Sequence, residues 1–284
     1  MIFNLLGGVS TPTISYSGAH TITDYTADGK DYTLYTLTGS GTLSVTGRAK
    51  GVDIWLCGGG ANGKTGGSDE NRPADFGKGG AGAFCAQLDS ATLKGDYVVT
   101  VGAAQGATSF GSLLSVSAVS GISGGSGGGA SSYYAATYPQ TGAPGTGDGL
   151  SKYPFGDTTH FDPHCAGGGG GGMYYRGYGN TFGSTEQGGA GGTNGGNGGG
   201  TVSGGGNGNE LGSMEGGAGG NKGGGKGGSS TDNSYSYTTG GTAASFYGSG
   251  GGGGGSHVNA YVEMLPGGGG AGYQGVVYMR VPKK

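Results

Sequence analysis

The sequence predicts an all-β protein: an antiparallel β-sandwich combined with a glycine-rich region of packed polyglycine II helices, which are extended and polyproline-like, with essentially no α-helix. Short runs alternate side-chain character with period two, as where Val52, Ile54 and Leu56 fall on one face of 52–57. Glycine occupies 80 of 284 positions, and hydrophobic residues make up 32%. The usual share of roughly 45–50% includes about 7% glycine, and 32% without glycine still falls below the roughly 40% that remains, so a conventional Leu/Ile/Val core of this length is excluded. No stretch carries the 3.6-residue periodicity of an amphipathic helix.

Glycine excess alone fits other architectures, and each meets an obstacle. Collagen needs glycine at every third position with abundant proline, and only 8 prolines are present. A flexible linker would not carry 18 tyrosines and 8 phenylalanines. The net charge of −3 provides no basic stripe for nucleic acid or an anionic membrane. No apolar run approaches the roughly 20 residues of a membrane span. The opening Met1-Ile2-Phe3-Asn4-Leu5-Leu6-Gly7-Gly8 has no basic leader region. Synthesis in the cytosol without a signal peptide is therefore expected. The three cysteines are odd in number and widely spaced, which does not suggest a disulfide framework. Cys57 and Cys85 read as small apolar residues on separate strands.

In chain order, an N-terminal segment 1–29 is assigned to attachment, and 30–123 to the sandwich strands. Within the latter, Tyr32, Leu34 and Thr36 alternate with Asp31, Thr33 and Tyr35, and strands follow at 42–46, 52–57, 83–88 and 97–101. A weaker strand is expected at 112–119. Residues 124–272 form the glycine-rich region, with pure glycine at 167–172, 198–200, 204–206, 251–255 and 267–270. Residues 273–284 return as the closing strand, carried by 275–281. A polyglycine II helix has three residues per turn and no internal hydrogen bonds. Its N–H and C=O groups must therefore pair with neighbouring helices, and the approach this demands requires glycine.

One segment imitates a nucleotide site. Gly58-Gly59-Gly60-Ala61-Asn62-Gly63-Lys64-Thr65 satisfies the P-loop pattern and follows a strand. A phosphate also needs a helix N-terminus behind the loop. Here Gly66 and Gly67 follow, with Pro73 soon after, so no such helix is expected and no cofactor is assigned. His160, Asp162, His164 and Cys165 are the weak candidates for a metal, by their H-x₃-H spacing beside a thiol and a carboxylate. The rival reading is a turn around Asp162-Pro163. No catalytic constellation stands out: there is no nucleophile elbow, no H-E-x-x-H and no distinct carboxylate pair. The chain is not expected to be an enzyme.

The aromatics of the glycine-rich region concentrate in inserts. The first holds Tyr133, Tyr134, Tyr138, Tyr153, Phe155 and Phe161; the second holds Tyr174, Tyr175, Tyr178 and Phe182; the third holds Tyr235, Tyr237, Phe246 and Tyr247. Tyrosine among Ser, Gly and Asn gives a large, stiff, amphipathic contact surface, as in antibody loops. The same rings also suit filling gaps beside bare glycine backbone. Apart from Phe161, these residues are the receptor-binding candidates.

Several segments in order resemble the glycine-rich domain of phage and prophage tail proteins. They are 52–60, then Gly79-Gly80-Ala81-Gly82-Ala83-Phe84, then Gly95-Asp96-Tyr97-Val98-Val99-Thr100-Val101-Gly102, then Thr108-Ser109-Phe110-Gly111, and finally the late glycine blocks with 275–281. The resemblance covers roughly 30–284. It implies a virion-associated tail-fibre or tail-tip protein that recognises a host surface receptor, a glycan or a protein. The implied partners are other tail proteins and that receptor, with no nucleic acid, no membrane insertion and room for a homo-oligomer. It implies no catalytic residues. The alternative is a purely structural or ice-binding surface protein on the same scaffold, against which the crowded tyrosine inserts weigh.

Overall fold

The computed structural model describes residues 11–66, 77–119, 121, 124, 132–134, 153–161, 165–176, 213–214, 230–231, 237–238, 240–258 and 267–283. Among these, the protein is all-β apart from a 3-10 turn at Pro154–Gly156. No helix of the described residues is long and apolar enough to cross a membrane.

The main sheet contains β1 (Thr13–Tyr16), β2 (His20–Ala27), β3 (Lys30–Leu37), β4 (Gly41–Cys57), β5 (Cys85–Thr100), β6 (Thr108–Phe110), β7 (Leu114–Val116) and, from the end of the chain, β14 (Val276–Pro282). Its order is β2-β3-β14-β4-β5-β6-β7, and β1 pairs with the first half of β4. Every pairing in it is antiparallel. β2 and β3 turn through Asp28 and Gly29, with φ of 51° and 70°. Those values suit the two-residue hairpin that Asp-Gly favours. The division drawn at residue 29 thus falls inside a hairpin, and 11–27 supplies sheet strands.

Two pairs of expected strands are each one continuous strand. β4 unites 42–46 with 52–57, and β5 runs from Cys85 to Thr100 across the expected gap. The glycines between the expected strands are bends. Gly47, Gly51 and Gly95 have φ of 85°, 69° and 85°. The β4–β5 register shifts between Val45/Ala49, Lys50/Val52 and Val52/Ile54. Such bulges bend a strand and increase its twist without ending its pairing. The weak strand at 112–119 contracts to β7.

Period two then divides the sheet's faces. On one, Leu37, Leu43, Ile54, Leu56, Phe110, Val277 and Met279 are among the buried residues of one core. On the other, Leu34, Trp55, Cys57, Cys85, Phe161 and Tyr278 belong to a second. β14 fits between β3 and β4, with Val277 opposite Leu37 on one side and Leu56 on the other. The closing strand is therefore central to the sheet, although it is the last to be synthesised.

The glycine-rich segments 58–66, 77–83, 165–172, 240–244, 248–255 and 267–275 lie side by side, joined through their backbones. Segment 248–255 touches all the others. Gly251 and Gly254 donate N–H bonds to Ala61 and Lys64, Gly250 and Gly253 to Gly167 and Gly170, and Gly252 to Thr242. It accepts bonds in turn: Gly80 donates to Gly251, and Gly270 and Gly267 donate to Gly252 and Gly255. Donors three residues apart reach the same neighbour. Residues 58–66 and 77–83, counted by sequence with the strand region, thus join the later glycine blocks. The blocks 198–200 and 204–206 lie outside the described residues.

Candidate functional site

The glycine segments have a near end, at the main sheet, and a far end. Segment 58–66 leaves β4, while 77–83 enters β5 and 267–275 enters β14. At the far end Gly66 bonds Gly267, Gly77 bonds Thr65, and Gly172 bonds Gly77. Two segments continue past it into strands: 165–172 into β9 (Met173–Arg176) and 248–255 into β13 (Ser256–Val258). These pair in parallel, and β8 (Ser132–Tyr134) pairs in parallel with β9 on its other side. The register sets Tyr174 between Tyr133 and Ser256, and Tyr175 between Tyr134 and His257. Segments 165–172 and 248–255 already run in parallel register, with Gly250 and Gly253 donating to Gly167 and Gly170, so their extensions β9 and β13 pair without a turn. A second small sheet joins β10 (Ser213–Met214), β11 (Ser230–Thr231) and β12 (Tyr237–Thr238), which carries Tyr237. Tyr138, Tyr178, Phe182 and Tyr235 lie outside the described residues.

Phe155, Phe161, Phe246 and Tyr247 are at the near end, packed on the sheet. Phe161 is buried, with its ring centroid 5.0 Å from that of Tyr278 and 5.7 Å from that of Phe155. Tyr247 lies edge-on to Tyr278 at 6.4 Å, and Phe246 lies 5.2 Å from Tyr247. Tyr153 is half-buried and accepts a bond from Gly156 N–H through its carbonyl. Sequence composition could not divide the aromatics into these two groups. Tyrosine packed on a sheet and tyrosine carried past the glycine segments have the same local sequence.

A charged constellation on this face was not singled out from the sequence. Arg280 Nε donates to Asp53 Oδ2 at 2.7 Å, and Asp53 Oδ1 accepts Ser90 N–H at 2.8 Å. The guanidinium lies 4.7 Å from the Tyr32 ring centroid and 4.4 Å from that of Phe155, and Nη1 donates to Tyr25 Oη at 3.4 Å. Burial alone would lower the arginine's pKa. The bonds to Tyr25 and Asp53 outweigh that and raise it. A signal was present: each charge stands within an otherwise apolar strand, Asp53 in 52–57 and Arg280 in 276–281. Opposite in register, they satisfy one another.

The P-loop-like segment is consumed by the fold. Gly58, Gly59, Gly60, Ala61, Gly63 and Lys64 donate their N–H groups to Phe84, Gly106, Tyr273, Ala81, Gly270 and Lys78. An anion would need those donors free and convergent. The Lys64 side chain is exposed. Of the candidate metal ligands, Asp162 and His164 lie outside the described residues. His160 Nδ1 lies 2.7 Å from Asp157 Oδ2, and Cys165 is buried. Among the described residues, no group of three His, Cys, Asp or Glu is placed to hold a metal. His160, Phe161, Cys165, Phe246 and Tyr278 do line a cleft of about 240 Å³ on this face.

No protein-family model matches the chain, and no curated protein or solved structure matches it either.

Proposed function

We propose that the chain is a virion-associated tail-fibre or tail-tip protein of a phage or prophage, with its glycine-rich segments forming a polyglycine II bundle and its main sheet a sandwich at the base. The bundle reading is supported by lateral hydrogen bonds that return to the same neighbour every third residue, the repeat of a helix with three residues per turn. At a rise of about 3.1 Å per residue, a segment such as 248–255 would extend roughly 25 Å from the sheet.

The functional reading rests on one observation: two glycine segments run directly into the paired strands β9 and β13, and β8, on the other side of β9, sets Tyr133 and Tyr134 in register with Tyr174 and Tyr175. A stiff stalk with tyrosines at its far end suits attachment. Rings held on a rigid support lose little entropy when they stack on a sugar or a protein surface. Binding is assigned to these residues, together with Tyr138, Tyr178, Phe182, Tyr235 and Tyr237. Tyr153, Phe155, Phe246 and Tyr247 are assigned to packing. Purified protein should bind bacterial surface fractions. The double substitution Tyr174→Ala/Tyr175→Ala should abolish that binding and leave the circular dichroism spectrum and melting transition intact. Absence of binding across cell-wall glycans and surface proteins of candidate hosts would remove the receptor reading.

A further inference from the structure

β4 ends and β5 begins on facing cysteines. Cys57 is opposite Cys85 in the antiparallel register, and just beyond them Gly58 N–H donates to the Phe84 carbonyl at 3.2 Å. That bond makes 57/85 a non-hydrogen-bonded pair, the kind whose Cα atoms come within about 4.5 Å. Disulfides span Cα separations of roughly 4.4–6.8 Å, so the pair can be bridged with little backbone movement. Cys165 completes a cluster: side-chain hydrogen bonds link Cys57 with both Cys85 and Cys165. All three are buried thiols, and Cys165 also lines the cleft beside His160 and Phe161.

We propose that Cys57 and Cys85 form a cross-strand disulfide when the protein meets a low-molecular-weight disulfide such as oxidised glutathione, with Cys165 as the thiol through which oxidation enters. The Cys165 sulfur attacks the small disulfide. Its S–S bond breaks, and one glutathione leaves as a thiol with the proton Cys165 gave up. Cys57 then attacks the Cys165 sulfur, releasing the second glutathione with the Cys57 proton. Cys85 attacks the Cys57 sulfur last, and the displaced Cys165 takes the Cys85 proton. Two protein thiols are oxidised and one small disulfide is reduced to two thiols. The entry point follows from position: all three thiols are buried, and only Cys165 of the three lines the cleft. Burial pushes the Cys57 thiol well up, which makes it a poor first nucleophile.

The bond would close the loop 57–85 where β4 and β5 leave the main sheet for glycine segments 58–66 and 77–83. It would join the sheet to the bundle at their root. The thiols would remain reduced in a cytosol and pair in an oxidising medium.

Peptide mapping of the full chain tests this after incubation with oxidised glutathione and alkylation under denaturing conditions. The expected product links the Cys57 and Cys85 peptides and leaves Cys165 alkylated, and the linked protein melts several degrees higher than the reduced one. A Cys57–Cys165 or Cys85–Cys165 linkage, a lasting glutathione adduct, or three alkylated thiols would overturn it. In Cys165→Ser the same linkage should form severalfold more slowly, and an unchanged rate would remove Cys165 from the route.

Discussion

The main sheet and the glycine bundle satisfy the same backbone groups by opposite means. In the sheet, ladders pair the backbone and side chains pack on its faces: Leu37, Ile54, Leu56 and Met279 are fully buried. In the bundle the backbone is both the hydrogen-bonding partner and the packing material. The carbonyl of Gly270 lies where a Cβ on Gly251 would be, and that of Gly77 lies where one on Gly253 would be. Mutational sensitivity is therefore reversed between the two regions. The sheet fails when atoms are removed, and the bundle fails when they are added. Among the described residues, abundant glycine accompanies close packing, not looseness.

The strongest attempt to break this comparison is Gly251→Val. Its Cβ would overlap the Gly270 carbonyl, which belongs to a neighbouring segment and cannot rotate away as a side chain could. The cooperative melting transition should be lost or severely lowered, and hydrogen exchange should show amides 250–254 unprotected. A stable, protected variant would mean that the segments are not packed backbone to backbone.

Leu56→Ala tests the other side. It removes a fully buried side chain between Val277 and the β5 strand, so denaturant unfolding should show a loss of about 3 kcal/mol. Next in size is Asp53→Ala, which leaves Arg280 without its carboxylate on a face where both side chains are only slightly exposed, 13% for Arg280 and 11% for Asp53. The expected loss is about 2 kcal/mol, less than for a fully enclosed pair, and it should shrink in the double variant Asp53→Ala/Arg280→Met.

Two smaller effects sharpen the contrast within the bundle. Ser249 is buried and its hydroxyl has no hydrogen-bond partner. Ser249→Ala keeps the Cβ and removes the unsatisfied group, so chemical denaturation should show stabilisation by up to about 1 kcal/mol. Gly268 has open space where a Cβ would go. Gly268→Ala should change stability by less than about 0.5 kcal/mol in either direction, measured in the same way. The gap between Gly268→Ala and Gly251→Val separates packing from glycine content as the cause.

The β-strands were legible because period-two patterning at 32–36 and 52–57 reports which face is buried whatever the partner. The pattern could not show that β4 and β5 are continuous. Whether Gly47 or Gly95 ends a strand or only bends it depends on the strand opposite. The closing strand was also legible as a strand, because 276–281 is apolar and β-branched. Its place between β3 and β4 was not, since strand order is set by contacts between residues more than 200 positions apart, as in Val277 opposite Leu56.

Composition by itself determined that this chain could not build a conventional core throughout, and that its glycine blocks required lateral hydrogen-bond partners if they were ordered. Only the tertiary structure decided which carbonyl each N–H received, because every glycine block has the same local sequence. It also decided the fate of the aromatics: Phe161 and Tyr247 pack on the sheet, while Tyr174 and Tyr175 are carried on β9 beyond the glycine segments. It brought Cys57, Cys85 and Cys165 together from positions that look unrelated along the chain. The physical reason is common to all three. A side chain's chemistry is local, whereas its neighbours are set by how distant backbone segments share their hydrogen bonds.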